Sequence, residues 1–340
     1  MTQLKPPRSD LQQEEDQKGG CDVQEDGNVL RRSAKGDAHM IRKMIAACAA
    51  LALTACASGA SQQQAAATEL PPGPALFVVR DADSTMYLFG TIHIRRPGTP
   101  WGGPQAQAGL AEASEVWTEL EISPNTEAQM QGLVGRYGLA EAGRPLSSYF
   151  SAEENTRITA TAQSLGLQPQ MVEAMKPWLV ALTFQVMQMM QAGYDPAAGA
   201  DRQIDAYADA NGKTARWFET AEEQISMLAG MSPEVQRQML LEAVDETEAG
   251  AALMERMATA WATGDLDTLE QLVVTDMRNE YPEFYEVLLA DRNDRWMTVL
   301  HQELQGSGVD FVAVGAGHVV GEDGLVTQLR ALGYTVERVE

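Results

Sequence analysis

Two histidines of the sequence follow apolar runs through a Gly-x-x-His tetrapeptide. One run ends in Gly90-Thr91-Ile92-His93, and the other ends in Gly315-Ala316-Gly317-His318. Because each apolar run reads as a strand, we expect both histidines at the carboxyl end of a sheet, where open α/β folds bind ligands. The spacing alone is weak evidence, since Gly36-Asp37-Ala38-His39 has it without a strand before it. The alternative is a pair of surface or internally hydrogen-bonded loop histidines.

A second set of candidates carries charge. Glu119 and Glu121 lie in the segment 115–122, a predicted strand, on the face opposite its apolar side chains. Carboxylates beside apolar neighbours need water, a cation or a substrate, although a solvated strand edge would also accommodate them. Arg292, in a periodic helical segment, could bind a carboxylate or a developing oxyanion, or it could form a surface salt bridge.

The donor types of these side chains point to a class of metal. His93, His318 and Glu119 together match an open catalytic metal site, in which two imidazoles and a carboxylate leave a position for water. All three cysteines lie within the first 56 residues, so the folded body offers nitrogen and oxygen donors. Such donors suit Mn²⁺, Co²⁺ or Zn²⁺ better than copper(I). The other histidine of the body, His301, lies in a predicted helix and is interpreted as structural.

The elements that must position these residues are predicted from hydrophobic periodicity. Strands are predicted over 75–80, 86–92, 115–122, 309–315 and 334–339, with helices over 105–114 and 322–332. Between about 125 and 305 the pattern is almost entirely helical, apart from a short strand predicted over 214–218. Neither end has enough strands to close a core alone. The sequence therefore predicts an α/β fold with a mixed sheet core formed by the N- and C-terminal segments and a large helical insertion at about 125–300.

The amino-terminal part has the pattern of an export signal. Arg42 and Lys43 precede an apolar stretch that ends in Leu53-Thr54-Ala55-Cys56, which resembles a bacterial lipobox. We predict a lipoprotein signal peptide over 40–55 and lipidation of Cys56. A short buried helix or an uncleaved anchor is the alternative. A lipidated Cys56 would place the protein in the cell envelope, anchored to the membrane at the periplasmic face of the outer membrane.

The remaining segments complete the predicted organisation. Residues 1–39 have no place ahead of a signal peptide and are predicted to be a leader from a misassigned gene start. Residues 56–74, rich in small and polar side chains, are predicted to be the lipidated cysteine and a flexible tether before one domain at 75–340. The most apolar run of the body, 178–190, is too short to cross a bilayer and is predicted as a buried helix.

The charge balance excludes one class of partner. The chain has 25 Lys and Arg against 48 Asp and Glu, a formal net charge of −23. A surface this acidic repels phosphate backbones, so no nucleic-acid partner is expected.

Four stretches resemble a known family. They are LFGTIH at 88–93, WTELEI at 117–122, RND at 292–294 and VGAGHVVGEDGL at 314–325, and they are similar to motifs of the TraB/PrgY/GumN family, which is related to the Tiki proteases. The resemblance implies that His93, Glu119 and His318 occupy the family's motif positions, with Arg292 and Asn293 as a further match. Weaker similarity continues at 199–201, 217–220 and 260–269.

The resemblance also implies a function. Tiki members are described as metal-dependent proteases, so we expect a divalent-metal-dependent hydrolase with a peptide or protein substrate. In that interpretation His93, His318 and Glu119 hold the metal, Glu119 or, less well placed, Glu121 acts as general base, and Arg292 steadies the oxyanion. The alternative is a non-enzymatic regulatory or binding lipoprotein of the envelope, associated with polysaccharide or signalling.

Overall fold

Six strands form one mixed sheet. The computed structural model describes residues 73–245 and 249–340. The predicted leader and signal peptide, Cys56 and nearly all of the tether lie outside these residues. The strands are β1 (Leu76–Arg80), β2 (Ser84–Thr91), β3 (Glu115–Leu120), β4 (Thr214–Glu219), β5 (Gly308–Gly315) and β6 (Thr335–Arg338).

The strand order is β4-β3-β5-β2-β1-β6. Strands β4, β3, β5 and β2 run parallel, and β1 is antiparallel to both of its neighbours, β2 and β6. The registers join the two ends of the chain, since Phe77 pairs with Arg338 and Leu88 with Val312. The predicted α/β class and its mixed sheet core are confirmed.

Helices make up most of the rest of the described chain. They are α1 (Pro104–Glu112), α2 (Pro124–Tyr137), α3 (Ala152–Ser164), α4 (Pro169–Glu173), α5 (Pro177–Gln191), α6 (Ala200–Ala210), α7 (Ala221–Gly230), α8 (Pro233–Asp245), α9 (Ala249–Thr263), α10 (Leu266–Leu269), α11 (Asp276–Glu280), α12 (Pro282–Tyr285), α13 (Asp291–Leu304), α14 (Ala316–Val319) and α15 (Leu325–Ala331). Within the described ranges, no helix is long and apolar enough to cross a membrane.

The structure differs from the sequence prediction at two strands. The strand predicted over 214–218 exists as β4, but it returns to the main sheet beside β3, so the helical insertion is not one uninterrupted excursion. The strand predicted over 115–122 ends at Leu120, because Ser123 caps α2 through its side chain, which accepts a hydrogen bond from the backbone N–H of Thr126. Glu121 therefore lies beyond the strand.

The sheet is covered on both faces. Helix α13 packs on one face, where Trp296 and Leu300 meet Leu88 and Val312. On the other face α1 and α6 cover the aromatic side chains of β2 and β5, which alternate with the first set as the pleat requires. This double cover is what makes the carboxyl ends of the parallel strands the accessible edge for a site.

Candidate functional site

The structure brings the three predicted site residues together at the carboxyl ends of the parallel strands. His93 follows β2, Glu119 is near the end of β3, and His318 lies in α14 directly after β5. Glu119 Oε1 is 3.8 Å from His93 Nε2 and 3.9 Å from His318 Nε2. The three strands end side by side, because β5 pairs with both β2 and β3.

Gly315 allows this convergence. Its backbone N–H donates to Glu119 Oε1 at 2.6 Å. A Cβ at this position would lie 3.0 Å from the same oxygen and 3.6 Å from His93 Nε2. The glycine of the second Gly-x-x-His motif is thus required for close approach of the Glu119 carboxylate to the backbone.

Arg292 is the centre of the buried part of the site. Its guanidinium donates from Nη2 to Glu119 Oε2 at 2.6 Å and to Glu219 Oε2 at 2.9 Å, and from Nε to Glu219 Oε1 at 2.9 Å. Nη1 donates to the carbonyl oxygen of Leu288 at 3.1 Å and to His318 Nε2 at 2.9 Å. All five N–H groups have acceptors, and the residue is only 4% exposed.

This saturation does not favour the oxyanion interpretation of Arg292. No N–H group is left to meet a developing negative charge, and a surface salt bridge is excluded by burial. The guanidinium instead holds two carboxylates and one imidazole in place. Arg292 is therefore a positioning residue.

His318 is neutral. Because arginine only donates, His318 Nε2 accepts from Arg292, and Nδ1–H donates to Asn293 Oδ1 at 2.7 Å. Burial lowers the pKa of His318 to about 3, against the raising effect of the Glu119 charge. The ring packs against Trp296, with ring centroids 4.3 Å apart. Both nitrogens of His318 are thus engaged by α13.

His93 has the opposite environment. Its Nδ1 lies 3.2 Å from Asp201 Oδ2, its Nε2 faces Glu119, and 57% of its side chain is exposed. Burial lowers the pKa of His93, but the hydrogen bond to Asp201 and the charge of Glu119 outweigh it and raise the pKa to about 9. His93 is therefore an exposed imidazole that faces two carboxylates, while His318 is a buried hydrogen-bonding group.

Glu119 is ionised. Burial raises the pKa of its carboxyl, but the charges of Arg292 and His93 and the hydrogen bond from the Gly315 N–H outweigh burial and hold the pKa well below its usual range. A carboxylate this stable is a poor general base, so the structure does not favour the base role considered for Glu119.

Two residues of the site were not singled out from the sequence. Asp201 is held by α6, which can start close to His93 because Gly199 has no Cβ. A Cβ on Gly199 would lie 2.5 Å from the His93 carbonyl oxygen. Glu219 ends β4, is 4% exposed, and precedes Thr220, which begins α7 with a capping box. Both lie in the weakly similar stretches 199–201 and 217–220, which were the signal that could have found them.

Glu121, the other predicted base, lies apart from this cluster. Its Oε2 accepts a hydrogen bond from Thr126 Oγ1 at 2.6 Å. It lines a cavity of about 450 Å³ that also reaches His93, Glu119 and Asp201. The structure thus places Glu121 on the wall of the cavity and outside the Arg292 network.

The predicted three-ligand metal set does not fit this arrangement. A ligand must present a free lone pair, but the Nε2 lone pair of His318 accepts from Arg292, whose cation also contacts Glu119. Only His93 Nε2 and Glu119 Oε1 face each other without an intervening donor. The described residues contain no group of three or more His, Cys, Asp or Glu side chains placed to hold an ion.

Comparison with known proteins agrees with the sequence motifs at this site. A model of the TraB/PrgY/gumN family matches residues 75–338. The chain belongs to the TraB/PrgY/gumN family. The match spans β1 to β6, so it includes both Gly-x-x-His motifs and all of the residues that surround Arg292.

Two similar proteins carry the same description. The uncharacterized protein YbaP of Escherichia coli (strain K12) is 24% identical over 258 residues, which cover 76% of this chain and 92% of YbaP. The uncharacterized protein YbaP of Shigella flexneri has the same identity and coverage. The similarity therefore supports membership of the family, and it assigns no activity to this chain.

Proposed function

We propose that this TraB/PrgY/gumN member is a hydrolase that cleaves peptide bonds in the cell envelope. The observation that carries the proposal is the exposed His93, fixed on one side by Asp201 and open on the other to the cavity beside Glu119. A histidine oriented by a carboxylate is the arrangement that moves protons in hydrolytic sites. Peptide is proposed as the substrate class from the resemblance of the sequence motifs to a family related to the Tiki proteases.

In the proposed mechanism His93 activates water. Asp201 accepts from Nδ1–H and so leaves the lone pair on Nε2, which faces Glu119 Oε1 across 3.8 Å. That gap suits a bridging water that donates to both atoms. Neutral His93 takes a proton from this water as it attacks the carbonyl carbon, and it returns the proton to the leaving nitrogen as the bond breaks.

The buried residues keep this arrangement rigid. Arg292 fixes one Glu119 oxygen and the Gly315 N–H fixes the other, so the carboxylate that faces the water cannot rotate. Asn293 on α13 accepts from His318 Nδ1–H, and His318 Nε2 on α14 in turn accepts from Arg292. These contacts supply pre-organisation, on which water activation depends.

A divalent cation remains part of the prediction through the family resemblance. We derive no step from it, because His318 is engaged by Arg292. Metal analysis of the purified protein by mass spectrometry, in wild type and in the His93→Ala and His318→Ala variants, tests it directly. Stoichiometric Mn²⁺, Co²⁺ or Zn²⁺ that both variants lose would support the three-ligand site.

The hydrolase proposal is tested with fluorogenic peptides and the full chain, with and without added Mn²⁺, Co²⁺ or Zn²⁺. We expect His93→Gln to lose activity by about 10²–10⁴-fold, the usual contribution of general acid–base catalysis. His301→Gln is the matched control, because His301 contacts Tyr334 and Gln305 far from the cluster. Activity should rise with pH towards a plateau above about pH 9, because His93 must be neutral to accept a proton.

The competing proposal is a non-enzymatic binding lipoprotein. If no peptide in a diverse library is cleaved at any pH or with any added metal, the hydrolase proposal fails and the binding role is favoured. Envelope localisation through the Cys56 lipid belongs to both proposals.

A further inference from the structure

The cavity beside His93 is lined in part by residues that have no role in the proposed water activation. It has a volume of about 450 Å³, near the lower end of the range for ligand pockets, and is lined by the end of β3, the first turns of α2 and the start of α6. A cavity of this size suits a short extended segment of a substrate. Its wall combines acidic with apolar side chains: Glu121, Glu127 and Asp201 with Leu120, Ile122 and Met130.

Glu119 also lines this cavity, but Arg292 and the Gly315 N–H hold its two oxygens. The other three acidic side chains differ in their partners. Asp201 is bonded to His93, and Glu127 forms an ion pair with Arg202 at 2.9 Å. Glu121 accepts from the hydroxyl of Thr126, and in the described part of the chain no basic side chain lies within 4 Å of it. Glu121 is thus the carboxylate of the wall whose charge is left for a ligand.

The neighbourhood of Glu121 is negative. Asp205 lies one turn after Asp201 on α6, and burial together with the charges of Asp209 and Asp201 raises the pKa of Asp205 to about 6, with a smaller effect from Glu121. Burial does not favour a cation, but the negative charges of Asp209, Asp201 and Glu121 that contribute to this raised pKa do. The basic groups in and near the cavity, His93, Arg202 and Arg292, are already paired with carboxylates.

A second observation at the same cavity points to a ligand. Thr91 is 1% exposed and lines the cavity, yet its Oγ1 has no hydrogen-bond partner among the described residues. Buried hydroxyls are rarely left unpartnered, because each one loses hydrogen bonds to water. A polar group of a bound substrate would supply the missing partner.

We propose that Glu121 is a specificity-determining residue that binds a primary ammonium group of the substrate. The methylene stem that carries the ammonium packs on Leu120, Ile122 and Met130, and Thr91 Oγ1 bonds a polar atom of the adjoining substrate backbone. This inference rests on the proposed hydrolase function, because that function makes the cavity a substrate site. A lysine side chain and a free amino terminus are the two sources of such a group.

The test compares matched peptides on the full chain. The set places lysine, its uncharged isostere norleucine, or glutamate beside the cleaved bond, each with a free or acetylated amino terminus. We expect wild type to prefer lysine over norleucine at least tenfold in kcat/KM, and Glu121→Gln to reduce this ratio to about one. A preference that follows acetylation would identify the amino terminus as the source.

Two further variants, a matched control and a charge reversal, make the comparison of peptides more specific. Glu127→Gln removes the same charge from the same wall, but Arg202 already neutralises it, so the preference for lysine should remain. Glu121→Lys should invert the preference towards glutamate, and this second variant separates charge recognition from a folding defect. An unchanged lysine preference in Glu121→Gln would overturn the inference.

A binding measurement separates this inference from the hydrolase proposal. Pentylamine and pentanol are titrated into the His93→Gln protein, and binding is followed by NMR shifts of the Thr91 and Glu121 amides. Selective binding of the amine that Glu121→Gln abolishes supports the inference even if no peptide is ever cleaved. Equal binding of amine and alcohol overturns it, whatever the outcome of the hydrolysis assay.

Discussion

Glu219→Gln should destabilise the protein strongly, although the substitution preserves size and shape. The Glu219 carboxylate accepts from Arg292 Nε and Nη2, from Trp296 Nε1 at 3.2 Å and from Arg295 at 3.4 Å, and it is 4% exposed. The amide replaces one acceptor oxygen with a donor that faces these donors. Removing one partner of a buried ion pair costs about 3–5 kcal/mol.

The lower end of that range applies at this position. Arg292 keeps the Glu119 carboxylate at 2.6 Å, so the guanidinium is not left without an anion, and we expect a loss of about 3 kcal/mol. With a urea dependence of about 1–3 kcal/mol per molar, the unfolding midpoint should fall by about 1–3 M. The measurement is urea unfolding followed by tryptophan fluorescence, because Trp296 packs inside the site.

Glu222→Gln is the control for Glu219→Gln. Glu222 pairs with Arg136, but both side chains are more than half exposed, so its midpoint should stay near that of wild type. A combined Glu119→Gln/Glu219→Gln variant should lose more than the sum of the single losses, because Arg292 then has no anion. A Glu219→Gln midpoint within the error of the wild-type value would refute the buried network as a source of stability.

Three further substitutions test other parts of the structure. Asp201→Asn should lower the pKa of His93 towards 6.5. A raised histidine pKa stabilises the folded state at pH values below the unfolded pKa, and this stability is lost as pH rises through about 9. In thermal unfolding the variant should therefore lose about 1 kcal/mol at pH 6 and almost nothing at pH 10, a figure discounted because 57% of the His93 side chain is exposed. Gly315→Ala should cost about 1–3 kcal/mol in urea unfolding, since its Cβ would press on Glu119 Oε1 at 3.0 Å; no loss would show that the carboxylate moves freely. Cys56→Ser should release the protein from the membrane fraction after a salt wash, and continued sedimentation would contradict the lipobox.

Much of the fold could be predicted from the sequence because its signals are local. The apolar runs of β1, β2 and β5 and the Gly-x-x-His turns that follow two of them need no tertiary information. The pairing of the two chain ends followed from counting strands, since neither end closes a core alone. The pairing of β4 with β3 had no such local signal, because the sequence of a single short strand does not indicate which other strand it will pair with.

The residues found at the site were predicted better than their roles. His93, Glu119, His318 and Arg292 converge, but the partners that decide their charge come from distant parts of the chain. Asp201 and Glu219 are supplied by the helical region, and the weak similarity at 199–201 and 217–220 is the one local feature that marks them among the many acidic residues of this chain. The role of such a residue depends on which carboxylate faces which cation. This is decided by tertiary packing and cannot be predicted from the hydrophobic periodicity of the sequence.

The two Gly-x-x-His motifs look equivalent in sequence, yet the structure gives them opposite electrostatic environments. His93 meets Asp201 and is exposed, so its pKa rises to about 9, whereas His318 is buried against Arg292 and its pKa falls to about 3. Titratable groups whose pKa values are pushed apart by their surroundings usually have different tasks in one site. Only the first histidine is exposed and can exchange a proton with substrate, in its neutral form as the pH approaches about 9, whereas the second is neutral and accepts from Arg292. We therefore expect His318→Gln to reduce activity through disorder of Arg292, whereas Asp201→Asn, which removes a carboxylate that raises the pKa of His93, should shift the pH profile to lower pH.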